Sequence, residues 1–126
     1  MIGEGIARNN LPKDCQAVVS TFAIHHLSDE QKEIFFKYIF DLLPQNGIFV
    51  IADNINPMYT KAEAVAAEDW DIAAYKQSIN FAGNLDAYQS FRESGWNIYS
   101  YQYDEGICGM PTSLYGQLKM LEKAGF

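Results

Sequence analysis

The chain has 126 residues, 48% hydrophobic and 20% charged, which is enough apolar content for one core and sets a single domain as the expectation. Its formal net charge of -7 works against attraction to phosphate backbones, which depends on clustered Lys and Arg, so no nucleic acid and no membrane surface is expected as a partner. No run of about eighteen apolar residues occurs, the opening Met1-Ile2-Gly3-Glu4-Gly5 lacks the features of a secretory signal, and Cys15 and Cys108 read as packing thiols in a reducing compartment, so a soluble, cytoplasmic protein is expected.

Residues 1–15 mix Gly, Asn and Pro with few apolar positions and read as an irregular lead-in. The run Ala17-Val18-Val19-Ser20-Thr21-Phe22 is β-branched without clean alternation, which predicts a parallel strand buried on both faces. Ser28 and Gln31 then form a capping box, and a helix begins there with Ile34, Phe35, Tyr38, Ile39, Leu42 and Leu43 as its packed face and Lys32 among its wet residues. Pro44-Gln45-Asn46-Gly47 ends it, and Ile48-Phe49-Val50-Ile51-Ala52 forms a second buried strand. Strand, helix and strand make a βαβ unit.

Beyond Asp53-Asn54-Ile55-Asn56-Pro57 the texture changes. Thr60 with Glu63 reads as another capping box, opening an Ala-rich helix that runs to about Ser78. Phe81-Ala82-Gly83-Asn84 breaks it, a further helix runs from Leu85 to about Glu93, and the alternating Tyr99, Tyr101 and Tyr103 suggest a short strand. Pro111-Thr112-Ser113 introduces a last helix with Leu114, Leu118 and Leu121 on one stripe, stopping at Gly125.

The βαβ unit carries a resemblance. Cys15-Gln16-Ala17-Val18-Val19-Ser20-Thr21-Phe22-Ala23-Ile24-His25-His26-Leu27 resembles the fourth strand and adjoining loop of class I S-adenosylmethionine-dependent methyltransferases, which often read DxVxxxxxxHHL. Leu42-Leu43-Pro44-Gln45-Asn46-Gly47, running on through Ile48 to Asp53, is similar to the turn into their fifth strand, and the final Gln117 to Phe126 is similar to the approach to their sixth. The resemblance implies an α/β fold: a partial Rossmann-like methyltransferase sheet of one βαβ unit, 16–53, then a mainly helical, lid-like insertion, 58–110, and a last helix, 111–126, all within one partial domain. It also implies S-adenosylmethionine as the cofactor of the complete family domain and a small-molecule methyl acceptor as the partner.

Two departures stand beside the matches. The family's GxGxG loop and its ribose-binding acidic residue are missing. Gly3-Glu4-Gly5 has no apolar strand before it, so it does not replace the loop. The same absence removes the reason to propose a dinucleotide oxidoreductase. The chain therefore reads either as a portion of a methyltransferase, inactive by itself and holding no cofactor, or as a non-catalytic fragment or degenerate homologue. On the second reading, unpaired strand edges at 16–22 and 48–53 draw two copies into a homodimer.

In open α/β sheets ligands sit outside the carboxyl ends of the strands, which selects two segments, 22–26 and 53–56. His25 and His26 are the candidate bases, since imidazole titrates near neutrality and can accept a substrate proton; the plainer alternative is that one closes the loop and the other packs beside the helix start. Thr21, Phe22 and Ala23 are the candidate cofactor contacts. Asp53 and Asn54 are candidates for orienting substrate, with Asp53 equally suited to a local turn. Trp70 and Tyr75, in the lid-like region, are candidate pocket aromatics, although helical aromatics more often serve a core. No metal site is expected, because adjacent histidines cannot easily share an ion and Asp29 is distant. Glu63, Glu68, Asp69 and Asp71 read as a solvated face.

Overall fold

A computed structural model describes residues 15–100 and 109–126. The fold is mixed α/β, with two parallel strands and four α-helices among the described residues, arranged as two compact units. The first unit comprises Met1–Ile55 with Pro111–Phe126, and the second Asn56–Met110.

In the first unit, β1 (Ala17–Thr21) pairs in parallel with β2 (Ile48–Ala52), Ala17 opposite Ile48 and Thr21 opposite Ala52. Between them lie a 3-10 turn (Ile24–His26) and α1 (Asp29–Leu42). The expected capping box is formed: the Gln31 amide donates to Ser28 Oγ at 3.3 Å, and the Ser28 amide to Gln31 Oε1 at 2.9 Å. A last helix, here α4 (Leu114–Ala124), is capped by Ser113 and closed by Gly125 at φ 117°. A side chain on Gly125 would meet the Phe40 ring at 2.7 Å, so glycine is required by space as well as by backbone.

The core is built around Ile24, Phe36 and Ala124, with Phe35, Phe49, Ile51, Met120 and Leu121 packed against it. This corrects the expectation that both strands are buried on both faces. Only the face carrying Phe49 and Ile51 is covered, whereas Val19 is 65% and Ile48 60% exposed. Both faces are apolar, so composition alone assigned both to the interior.

The packed face of α1 is also shifted from expectation. Lys32 and Phe36 are fully buried, whereas Ile34 is 68% exposed. Lys32, Phe36 and Ile39 recur at steps of four and three, as one buried stripe must. Burying Lys32 is tolerable because Nζ donates to Thr112 Oγ1 at 2.5 Å and to Asp29 Oδ1 at 3.3 Å. The Leu stripe of α4 divides: Leu121 joins the core, and Leu114 and Leu118 remain more than half exposed.

In the second unit, α2 (Thr60–Gln77) continues into a π-helical turn (Ser78–Ala82), which Gly83 closes in the left-handed region at φ 70°. The helix α3 (Asp86–Glu93) comes next. Thr60 does not cap α2. Tyr59 holds the extended cap position, and its carbonyl accepts from the amides of Ala62 and Glu63. Ser78 joins the π turn to α3, donating to the Asn84 carbonyl at 2.8 Å and accepting from the Tyr88 amide at 3.2 Å. Tyr99 lies in a turn and not in a strand. Residues 1–14 of the expected lead-in over 1–15, with Tyr101, Tyr103 and Cys108, fall outside the described residues. No helix among the described residues is long and apolar enough to cross a membrane.

Candidate active site

The two strands end side by side, and the segments leaving them meet. The Phe22 amide donates to the Ala52 carbonyl at 2.9 Å, extending the ladder by one bond. Phe22 then takes φ 48°, the one non-glycine residue in the left-handed region among those described. A bulky side chain there is a backbone outlier, and such outliers collect at functional turns. The reversal feeds the 3-10 turn, where Ile24 plugs into the core at 2% exposure and His25 is drawn inward beside it.

Asp53 is the first residue after β2, and its side chain is 1% exposed. One carboxylate oxygen accepts from the His25 backbone amide at 3.0 Å. The other takes the His25 ring at Nδ1 in a short contact and the Asn54 amide at 2.8 Å. Burial pushes the Asp53 carboxyl upward, but the bonds from the His25 ring and from the Asn54 and His25 amides outweigh it. The group is held below the ordinary aspartate value of 3.8 and stays ionised.

A carboxylate at Nδ1 fixes the tautomer of a neutral imidazole. Nδ1 keeps the proton and donates it, which leaves the lone pair on Nε2. The pair thus presents a buried, oriented base at the carboxyl ends of two parallel strands. Residue pattern places both groups at this edge without naming Asp53 as the partner of His25. The signal for it is the register, since residues one or a few positions beyond adjacent parallel strands must come close.

His26 is exposed to a different degree from His25, being only partly covered by its neighbour, with the two ring centroids 4.1 Å apart. Thr21, Phe22 and Ala23 are exposed along the same edge, and Asn54 is half-buried behind Asp53. Trp70 and Tyr75 belong to the second unit. Trp70 packs on Phe91 and Tyr99, and Tyr75 meets the Tyr88 ring edge-on at 5.4 Å. Of the acidic run, Asp71 is engaged, accepting from the Tyr88 hydroxyl at 2.6 Å.

Beside Asp53 lies a groove of about 240 Å³ lined by Phe49, Ile51, Ile55, Leu114 and Leu118. No cluster of three metal-binding side chains occurs among the described residues, and Asp29 is instead bonded to Lys32 and Thr112. The glycines at positive φ are Gly83, Gly95, Gly109 and Gly125, all remote in sequence from the strand ends, so the described residues provide no glycine-lined cradle for a nucleotide there. Compared with known proteins, the chain matches no family model and no curated sequence.

Proposed function

We propose that this chain is the acceptor-side portion of a Rossmann-like, S-adenosylmethionine-dependent methyltransferase, the part that holds a small-molecule methyl acceptor and takes its proton. The observation that carries the reading is the His25–Asp53 pair at the carboxyl ends of β1 and β2. The sequence resemblance supplies the reaction class, and the pair supplies the chemistry that such an acceptor requires.

A hydroxyl or amine becomes a better nucleophile as its proton leaves. Nε2 of His25 would accept that proton, and Asp53 would stabilise the imidazolium that forms without taking the proton itself. The exposed edge at Thr21–Ala23, assigned by the resemblance to the cofactor, and the apolar groove beside Asp53 are on this reading open to a small aromatic or aliphatic acceptor. The cofactor, when bound, supplies the methyl group. The described residues do not fit its glycine-lined cradle, so their part is confined to the acceptor and its proton.

The test is an NMR titration of the chain with small phenols and amines and, separately, with S-adenosylmethionine. Resonances of Thr21, Phe22, Ala23, His25 and Asn54 are expected to move on addition of acceptor, with the cofactor taken up weakly by comparison. A folded chain in which no acceptor moves this edge contradicts the reading.

A further inference from the structure

The helix α2 packs in its own unit on one side only. Ala66, Ala67, Trp70 and Ala74 are among its half-buried residues, the Ala67 carbonyl accepts from the Asn97 side-chain amide at 2.8 Å, and no residue of α2 is fully buried. Away from that side the helix carries a second apolar line that this packing does not use. Val65 is 57% exposed, Ile72 42% and Ile79 40%. Each residue advances about 100° around an α-helix, so positions seven apart drift by only about 20° and the three side chains form one straight stripe roughly 21 Å long. Ile79 sits at the start of the π-helical turn, where Gly83 bonds back to the Ile79 carbonyl at 3.0 Å, and the stripe ends there.

The borders of the stripe are charged in a particular order. Asp69 and Lys76 are exposed on one rim, three residues before Ile72 and four after it. Glu68 and Tyr75 are exposed on the other rim, again on either side of Ile72. We propose that this stripe is the seam at which α2 pairs, antiparallel, with α2 of a second copy of the chain, on a two-fold axis beside Ile72.

In that arrangement Ile72 meets its own copy, and Val65 meets Ile79 of the second copy, twice by symmetry. Asp69 faces Lys76 of the second copy, also twice, and Glu68 faces the hydroxyl of the second copy's Tyr75. A parallel pair would instead set Asp69 beside Glu68 of the second copy, like charge against like, twice by symmetry. Opposite charges at mirrored distances from one apolar residue are what a self-complementary antiparallel seam requires. They also give a chain of net charge -7 one surface on which its own copies attract.

Sedimentation equilibrium of the full chain, from micromolar to millimolar concentration, tests the seam. The wild type should show a monomer–dimer equilibrium, weak because one helix pair makes a small interface. Ile72→Asp should weaken it by about 100-fold or more, since two carboxylates then face each other at the centre of the seam. Asp69→Lys and Lys76→Asp should each weaken it by about ten-fold, and the double variant should restore it to near the wild type, because two rim pairs change together. All three positions are exposed, and circular dichroism verifies that the variants keep their helices. A chain that stays monomeric throughout overturns the proposal. So does a dimer indifferent to Ile72→Asp, which would place the contact at the strand edges, and so do single charge variants whose effects the double does not reverse.

Discussion

Asp53 is buried yet kept ionised by the donors around it, so it ties the stability of the first unit to pH. Its folded carboxyl lies below the ordinary value of 3.8, and a group depressed on folding stabilises the fold fully above its unfolded value. That contribution disappears as pH falls through the depressed folded value. Asp53→Asn should therefore cost roughly 1–3 kcal/mol near neutral pH, the range for leaving buried partners mismatched. The gap between variant and wild type should narrow steadily below about pH 4, as read by urea unfolding across a pH series. A gap that stays constant into strong acid would mean that Asp53 acts through shape alone. Phe22 offers a second check. Its backbone is left-handed, its side chain is 65% exposed, and little packing is lost by removing the ring. Phe22→Gly should be neutral or stabilising by up to about 1 kcal/mol, whereas Phe22→Val, β-branched at the same φ, should cost about 1–2 kcal/mol. Equal effects of the two in thermal unfolding would show that φ 48° carries no strain.

Among the elements, helix ends were the most legible feature, and their one failure is informative. Ser28 with Gln31 and Ser113 before α4 both cap as their sequences indicate. Thr60 with Glu63 spells the same pattern but lies one residue inside its helix, because Tyr59 adopts the extended cap backbone at φ -127° and ψ 133°. A hydroxyl and a carboxylate three apart announce a helix start without deciding which residue holds the extended dihedrals. Ser28→Ala should accordingly destabilise by about 1 kcal/mol, and Thr60→Ala should stay within about 0.5 kcal/mol. Equal losses in urea unfolding would return the cap to Thr60. The face of α1 was less legible, for a different reason. Periodicity sorts side chains by polarity, and Lys32 lies in the interior with its ammonium bonded to Asp29 and to Thr112, the latter distant in sequence. The strands misled in the opposite direction: Val19, Ile48 and Val50 look like core residues and lie on the uncovered face of the sheet.

For the molecule as a whole, the order of strand, helix, strand and later helices could be read from periodicity and turn residues, and so could the edge at which the site lies. The link between His25 and Asp53, separated by 28 positions, could not, because it depends on two strands being neighbours in register. The same limit applies to Trp70 and Tyr75, whose aromatic character suggested a pocket and whose neighbours are other rings of the second unit. Everything proposed for the acceptor site passes through one atom, Nε2 of His25. Long-range proton–nitrogen correlation spectra of the imidazole, recorded at about pH 8, above the usual histidine range, report which nitrogen carries the proton. The expected result is a ring protonated at Nδ1 with a free lone pair at Nε2, its Nδ1 proton strongly deshielded in the wild type and no longer so in Asp53→Asn. A ring protonated at Nε2, or one indifferent to the loss of the Asp53 carboxylate, would contradict the assignment of His25 as the base.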